Sequence, residues 1–349
     1  NYYKKYVEHS AKSDDTVDEL VMQKREESRF VCLVGLALVY MHELVKKPQD
    51  VITLFSEDEL KRYSTDPDKV ARAHTLVMEA HVAGNRLAEA ERALEIVITG
   101  APGNRRTPGA ARKLAIALDS VAKDLKDKNK DEYAATRSKM AKYFLIWLKN
   151  APAAGEVIKA EHAFAVATKL LEIWKETGDV SYGQEAAPIL EKTLAGGYSG
   201  KLPGKVDEIR WRFAQVLVGL EDWEKARNTY EELVKTKSDN ALIFLELGEV
   251  YLTLSRRTQG EDQKKYWQSG MDLFNRVLGS LRGEGKFSET WWRTMFNYVT
   301  IMFESGEYKP AYEGIKGIQV EKKDFDNDQW GYKTKLIELL KKIEAKLPK

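Results

Sequence analysis

The sequence predicts an all-α array of stacked helical hairpins, an α solenoid, and three observations carry that expectation. Almost every segment between Gly and Pro clusters has apolar residues at helical spacing, and no segment alternates as a strand would. Positions twelve residues apart recur inside consecutive hairpins: Ala214 with Ala226, Met78 with Ala90, and Val299 with Ala311. Each second member follows by three residues a bulky group that opens a helix, namely Trp223, Leu87 or Tyr308. Two antiparallel helices need that spacing where their axes come closest. A single compact core would be near its size limit at 349 residues, so several domains or a repeat array is expected.

Residues 17–45 read as one long or broken helix. Its apolar run, 30–41, is twelve residues long, short of the ~18 that suggest a membrane span. The run is therefore expected to be buried on most sides. Residues 49–63 read as a further helix, with Pro48 near its start, where a missing N–H costs little. Together 1–67 form an N-terminal helical segment.

From 68 to 197 the pattern is one of divergent helical repeats. Segments 72–84 and 87–98 pair, closed by Gly100-Ala101-Pro102-Gly103; 110–126 and 131–149 follow across a polar turn, ended by Pro152. Segments 156–176 and 183–194 make a third pair, ended by Gly196-Gly197. Residues 198–205, with Gly200, Pro203 and Gly204, are the expected joint.

Between 206 and 320 the pattern sharpens. Segments 206–220 and 223–235 pair across Glu221-Asp222, and 289–304 and 308–318 across Ser305-Gly306-Glu307. Between them, 241–255 pairs with 266–281 through a longer polar connection, 256–265. Residues 321–349 hold a closing helix over 328–347 with a charged outer face, which an array needs to shield its last apolar face.

These residues resemble a tetratricopeptide-type repeat, a helix–turn–helix of about 34 residues. Phe213-Ala214, Leu217, Trp223, Ala226, Tyr230 and Leu233 carry the best match. Val77-Met78, His81, Leu87, Ala90, Leu94, Val97 and Pro102 give a second, and Tyr298-Val299, Met302, Gly306, Tyr308, Ala311, Ile315 and Ile318 a third. In the hairpin between the first and third of these, Gly248 and Gly270 are 22 residues apart rather than twelve, an insertion of ten. The resemblance covers 70–104 and 206–318 and is only an outline elsewhere. It implies a right-handed α–α superhelix. The small residues support the packing independently: a large side chain at Ala226 or Ala311 should overpack the contact and cost ~1–3 kcal/mol.

The resemblance also implies where a ligand would sit. First helices line the concave surface in such arrays, and matched positions place Arg72, Thr75 and Glu79, then Trp211, Gln215, Leu245 and Glu249, then Phe296, Thr300 and Phe303 in that groove. The apolar members (Trp211, Leu245, Phe296, Phe303) exceed what a solvated face carries; coverage by longer or inserted elements stays open as the alternative. The lysine–asparagine clamp of the chaperone-tail-binding subset is missing, since its equivalent positions hold Thr75/Glu79 and Trp211/Gln215.

Other chemistry is poorly supported. Apolar content of 43% and charged content of 32% fit an ordered protein. The near-balanced net charge of +2 argues against nucleic acid as the main partner. Cys32, the one cysteine, cannot form an internal disulfide and reads as a buried apolar group. His74 and His81 lie seven apart, roughly 10 Å along a helix, too far to share a metal unaided. His42-Glu43 begins like a zinc-protease helix, but Lys46 stands where the second histidine belongs. Asp324, Asp326 and Asp328 alternate as in a calcium loop, yet Gln329 and Lys335 occupy its glycine and closing-carboxylate positions; helix capping by Asn327 or Asp328 is simpler. Gly196–Lys201 lacks the spacing and hydroxyl of a phosphate loop. Adjacent carboxylates such as Glu231-Glu232 point apart on a helix.

No catalytic residue, metal or cofactor is therefore expected. The function expected is a protein-interaction scaffold or adaptor, a structural subunit of a larger assembly, that holds a peptide or helix in its groove. Two alternatives stay open: a non-catalytic helical domain of a larger enzyme or of a secretion or envelope machine, and a helical-repeat RNA binder. The last is disfavoured because Glu79, Glu246 and Glu249 sit on or near the inner face. Residues 1–5 lead into no apolar stretch, so no signal peptide is expected there; without an initiator Met the chain reads as a processed or excised piece. A cytoplasmic location is favoured, a periplasmic one open if a leader was removed.

Overall fold

Sixteen helices run along residues 4–5, 19–237, 240–281, 283, 286–322 and 330–347, the part of the chain that the computed structural model describes. An isolated parallel bridge, Lys159 with Ser199, is the sole β pairing among these residues. No helix among them is long and apolar enough to cross a membrane. The chain divides into two units, residues 1–178 with 198–200 and residues 179–197 with 201–349.

In the first unit, α1 (Glu19–Met41) packs on α2 (Pro48–Leu54) and α4 (Pro67–Ala83). Phe30, Leu33, Val34, Leu36 and Ala37 are buried there, whereas Val31, Leu38 and Val39 are 61%, 54% and 47% exposed. The run expected to be buried on most sides thus buries one face only. Cys32, at the edge of that face, is half-buried rather than buried. The single helix expected over 49–63 is two: α2 stops at Leu54, and the Ser56 hydroxyl caps α3 (Glu57–Arg62) by accepting the Glu59 N–H.

Asp66 caps α4 by accepting the N–H groups of Asp68 and Lys69, and Pro67 takes the first helical position. A short turn with Asn85 at φ +54° leads to α5 (Leu87–Gly100). The next hairpin, α6 (Thr107–Leu125) and α7 (Lys130–Asn150), is longer, at 19 and 21 residues. Its helices pack together and bury Ala111, Leu114, Ala115, Met140, Ala141 and Trp147. α4 packs on α6, so successive first helices are neighbours. α8 (Ala160–Thr177) packs on α7 and ends at Gly178, whose left-handed conformation (φ +72°) stops it.

In the second unit, α9 (Val180–Leu194) packs on α10 (Val206–Gly219). The hairpins that follow are α10 with α11 (Trp223–Thr236), α12 (Ala241–Arg257) with α13 (Gly260–Ser280), and α14 (Glu289–Glu304) with α15 (Tyr308–Glu321). The connection expected over 256–265 shrinks to Thr258 and Gln259, because the inserted residues lengthen both helices instead of forming a loop. The close contact survives: a Cβ on Gly248 would lie 2.5 Å from the Phe274 ring, and one on Gly270 2.7 Å from Ile301 Cδ1. α16 (Tyr332–Glu344) closes the unit, burying Leu336, Leu339, Leu340 and Ile343 against α14 and α15. It starts at Tyr332 after a left-handed Gly331 (φ +70°), not at 328. The alternating aspartates at 324–328 lie outside the described residues.

Candidate interaction surfaces

A polar strip in the second unit joins successive first helices. On α12, the Glu246 carboxylate accepts hydrogen bonds from Trp211 Nε1 and Gln215 Nε2 of α10, the latter at 3.0 Å, and from the Tyr230 hydroxyl of α11 at 2.9 Å. One turn on, Glu249 accepts from Arg293 Nε at 2.6 Å and Nη2, and from Asn297 Nδ2 at 2.8 Å, both on α14. Equivalent pairs of residues three or four apart on α10, α12 and α14 thus form a polar ladder across three hairpins. Desolvation, then the neighbouring Glu246 charge, push the Tyr230 hydroxyl far above its ordinary range. The hydrogen bonds and charge of Glu249 outweigh burial and raise the Arg293 guanidinium.

The other positions expected on this face are divided among several environments. Leu245 is completely buried in a core with Phe244, Leu252, Phe274 and Ile301. Thr300 is buried, its hydroxyl donating to the Phe296 carbonyl at 2.7 Å. Phe296 lies 5.9 Å from the Tyr332 ring and under the Lys335 ammonium, so α16 covers it. Phe303 stacks at a tilt on Tyr308 where its hairpin turns. Trp211, Gln215 and Glu249 are half-buried on the strip. Glu246, which accepts three of its hydrogen bonds as Glu249 does, is one residue from Leu245 and was not among the positions matched; the repeated polar pairs on consecutive first helices were the available signal.

In the first unit, Arg72, Thr75 and Glu79 do come together. Two adjoining cavities of about 690 and 430 Å³ lie between α1, α4 and the start of α6, and Arg72, Arg105 and Arg106 line both. Thr75 and Glu79 line the smaller one, with Val34, Leu38 and Lys113. Thr75 is buried with its hydroxyl unpartnered, and Glu79 is paired with Lys113. Arg105 and Arg106 escaped the position-matching because they belong to the turn before α6.

At the helix crossings, Met78, Ala90, Ala214, Ala226, Val299 and Ala311 have no solvent exposure. Both members of each twelve-residue pair are thus fully buried. The described residues form an all-α array of stacked helical hairpins. No protein-family model matches the sequence, and no curated protein matches it significantly. Among solved structures, the array is similar to PilF of Pseudomonas aeruginosa (9% identity, TM-score 0.36, 75% of this chain and 98% of that one). It is also similar to a tetratricopeptide repeat protein of Parabacteroides merdae (11%, 0.33, 98% of each) and to the Cut9–Hcn1 hetero-tetramer of the APC/C (12%, 0.36, 97% and 62%).

No group of three metal-ligating side chains occurs among the described residues. Burial lowers the pKa of both His74 and His81, with Arg86 adding to the effect at His81.

Proposed function

We propose that this protein is a non-catalytic scaffold that binds a partner polypeptide along the inner faces of its first helices, as a subunit of a larger assembly. The polar ladder Trp211–Gln215, Glu246–Glu249, Arg293–Asn297 is the observation that carries the reading. Its side chains are held by bonds between hairpins, so they lose little further freedom on binding. Half-buried Trp and Arg side chains are also the groups that most often dominate interface energy. A peptide or helix would meet Trp211 and the stem of Arg293 as apolar contacts, with Glu246 and Glu249 fixing its polar groups.

Site-specific photo-cross-linking tests this directly. A photoreactive residue at Gln215 should give discrete polypeptide adducts in the native cell, and the same probe at exposed Glu232, on the second helix of that hairpin, should give none. Equal labelling from both positions would refute the inner-face assignment.

A further inference from the structure

We propose that the arginine-lined groove of the first unit binds an acidic peptide segment of a partner protein, one that carries carboxylates along one edge and apolar side chains along the other. The proposal rests on the scaffold reading for its ligand class, but uses a different surface. Arg72, from α4, converges with Arg105 and Arg106, from the turn into α6, on the two adjoining cavities. Among the described residues, none of the three guanidiniums has an ion-pair partner or a side-chain hydrogen bond, unlike Arg29, Arg137, Arg256 and Arg293.

The acidic groups around the groove are mostly engaged. Glu79 is paired with Lys113, Asp66 caps α4 and meets Lys69, Asp68 accepts from Asn104, and Glu156 accepts from Trp147. Two carboxylates that line the larger cavity, Asp68 (held only by a neutral amide) and exposed Glu27, face three arginines. Burial, and then the like charges of Arg72 and Arg105, pull the Arg106 guanidinium below its ordinary value. The Asp68 charge opposes that shift without cancelling it, and an arginine still carries its charge there, so the cluster keeps an excess of positive charge.

The opposite wall says what else the ligand carries. Exposed Val31 lines the larger cavity and exposed Leu38, with Val34, the smaller; both stand on an α1 face left open among the described residues. A bare anion would leave that face in water. A peptide with alternating acidic and apolar residues covers it while its carboxylates reach the guanidiniums, whose planar fork matches a carboxylate at two points.

The test uses the full chain and a fluorescent peptide of about twelve residues alternating Asp or Glu with Leu, beside its Asn/Gln counterpart. The acidic peptide should bind at low salt, weaken as salt is raised, and bind at least tenfold more weakly to the R105Q/R106Q double variant. The Asn/Gln peptide should be at least tenfold weaker on the natural chain. Leu38→Ser, on an exposed side chain that leaves the fold intact, should weaken the acidic peptide several-fold. Equal affinity for the two peptides, binding unchanged in the double variant, or displacement by single-stranded RNA at equal concentration would overturn the proposal. If the peptide fails while the Gln215 cross-link persists, the arginine groove is wrong and the scaffold stands; loss of the cross-link alone removes the inner strip and leaves the groove.

Discussion

Arg29 and Glu59, thirty residues apart and each more than nine-tenths buried, meet in a two-point ion pair: Nε donates to Oε1 at 2.9 Å and Nη2 to Oε2 at 2.7 Å. Tyr63 donates its hydroxyl to the same Oε1 at 2.8 Å. The pair fastens α1 to α3. Glu59→Gln takes the two-point ionic partner from buried Arg29 and should cost about 3–5 kcal/mol in denaturant unfolding. Tyr63→Phe removes one bond and should cost about 1 kcal/mol.

The same pair makes stability depend on pH. Desolvation pushes the Glu59 carboxyl up, but the hydrogen bonds from Arg29 and Tyr63 and the Arg29 charge outweigh it, so the carboxyl lies below its ordinary value. The contribution is therefore complete above the unfolded value of about 4.3 and disappears as pH falls through the lower folded value. The stability gap between the natural chain and Glu59→Gln should be constant near neutrality and shrink below about pH 4. A gap that grows on acidification would contradict this sign.

Glu246 should couple several residues at once. Glu246→Ala takes the acceptor from Tyr230, which is buried, and should cost about 1–3 kcal/mol. Adding Tyr230→Phe should then cost less than it does in the natural chain. A double-mutant cycle by thermal unfolding reads the difference, and additive effects would show that the ladder holds nothing together.

Two glycines of the second unit should respond oppositely to alanine. Gly248→Ala drives a Cβ into the fully buried Phe274 ring and should destabilise by ~1–3 kcal/mol. Gly279, late in α13, has open space around its would-be Cβ and no left-handed backbone, so Gly279→Ala should stabilise by up to about 1 kcal/mol. Unfolding midpoints of the two variants decide it.

Legibility in the sequence followed the range of the interaction concerned. The hairpin frame was legible because caps, turns and twelve-residue contacts are local, and Ala226 and Ala311 fell at the buried contacts expected of them. The inner face was less so, since one residue on a helix is ~100° of rotation: Leu245 is core, and Glu246 beside it faces the strip. Phe296 could not be read at all without α16, which covers it.

Amino-acid order alone set the helical hairpins and the residues at their crossings, because turn chemistry and helical period act over a few residues. Tertiary structure decided which faces stay open. Whether α1 would be covered, and whether Arg72 would find a carboxylate or only Arg105 and Arg106, depends on how far each helix runs before its neighbour packs against it. Burial and charge are properties of such assembled surroundings, and no stretch of sequence contains them.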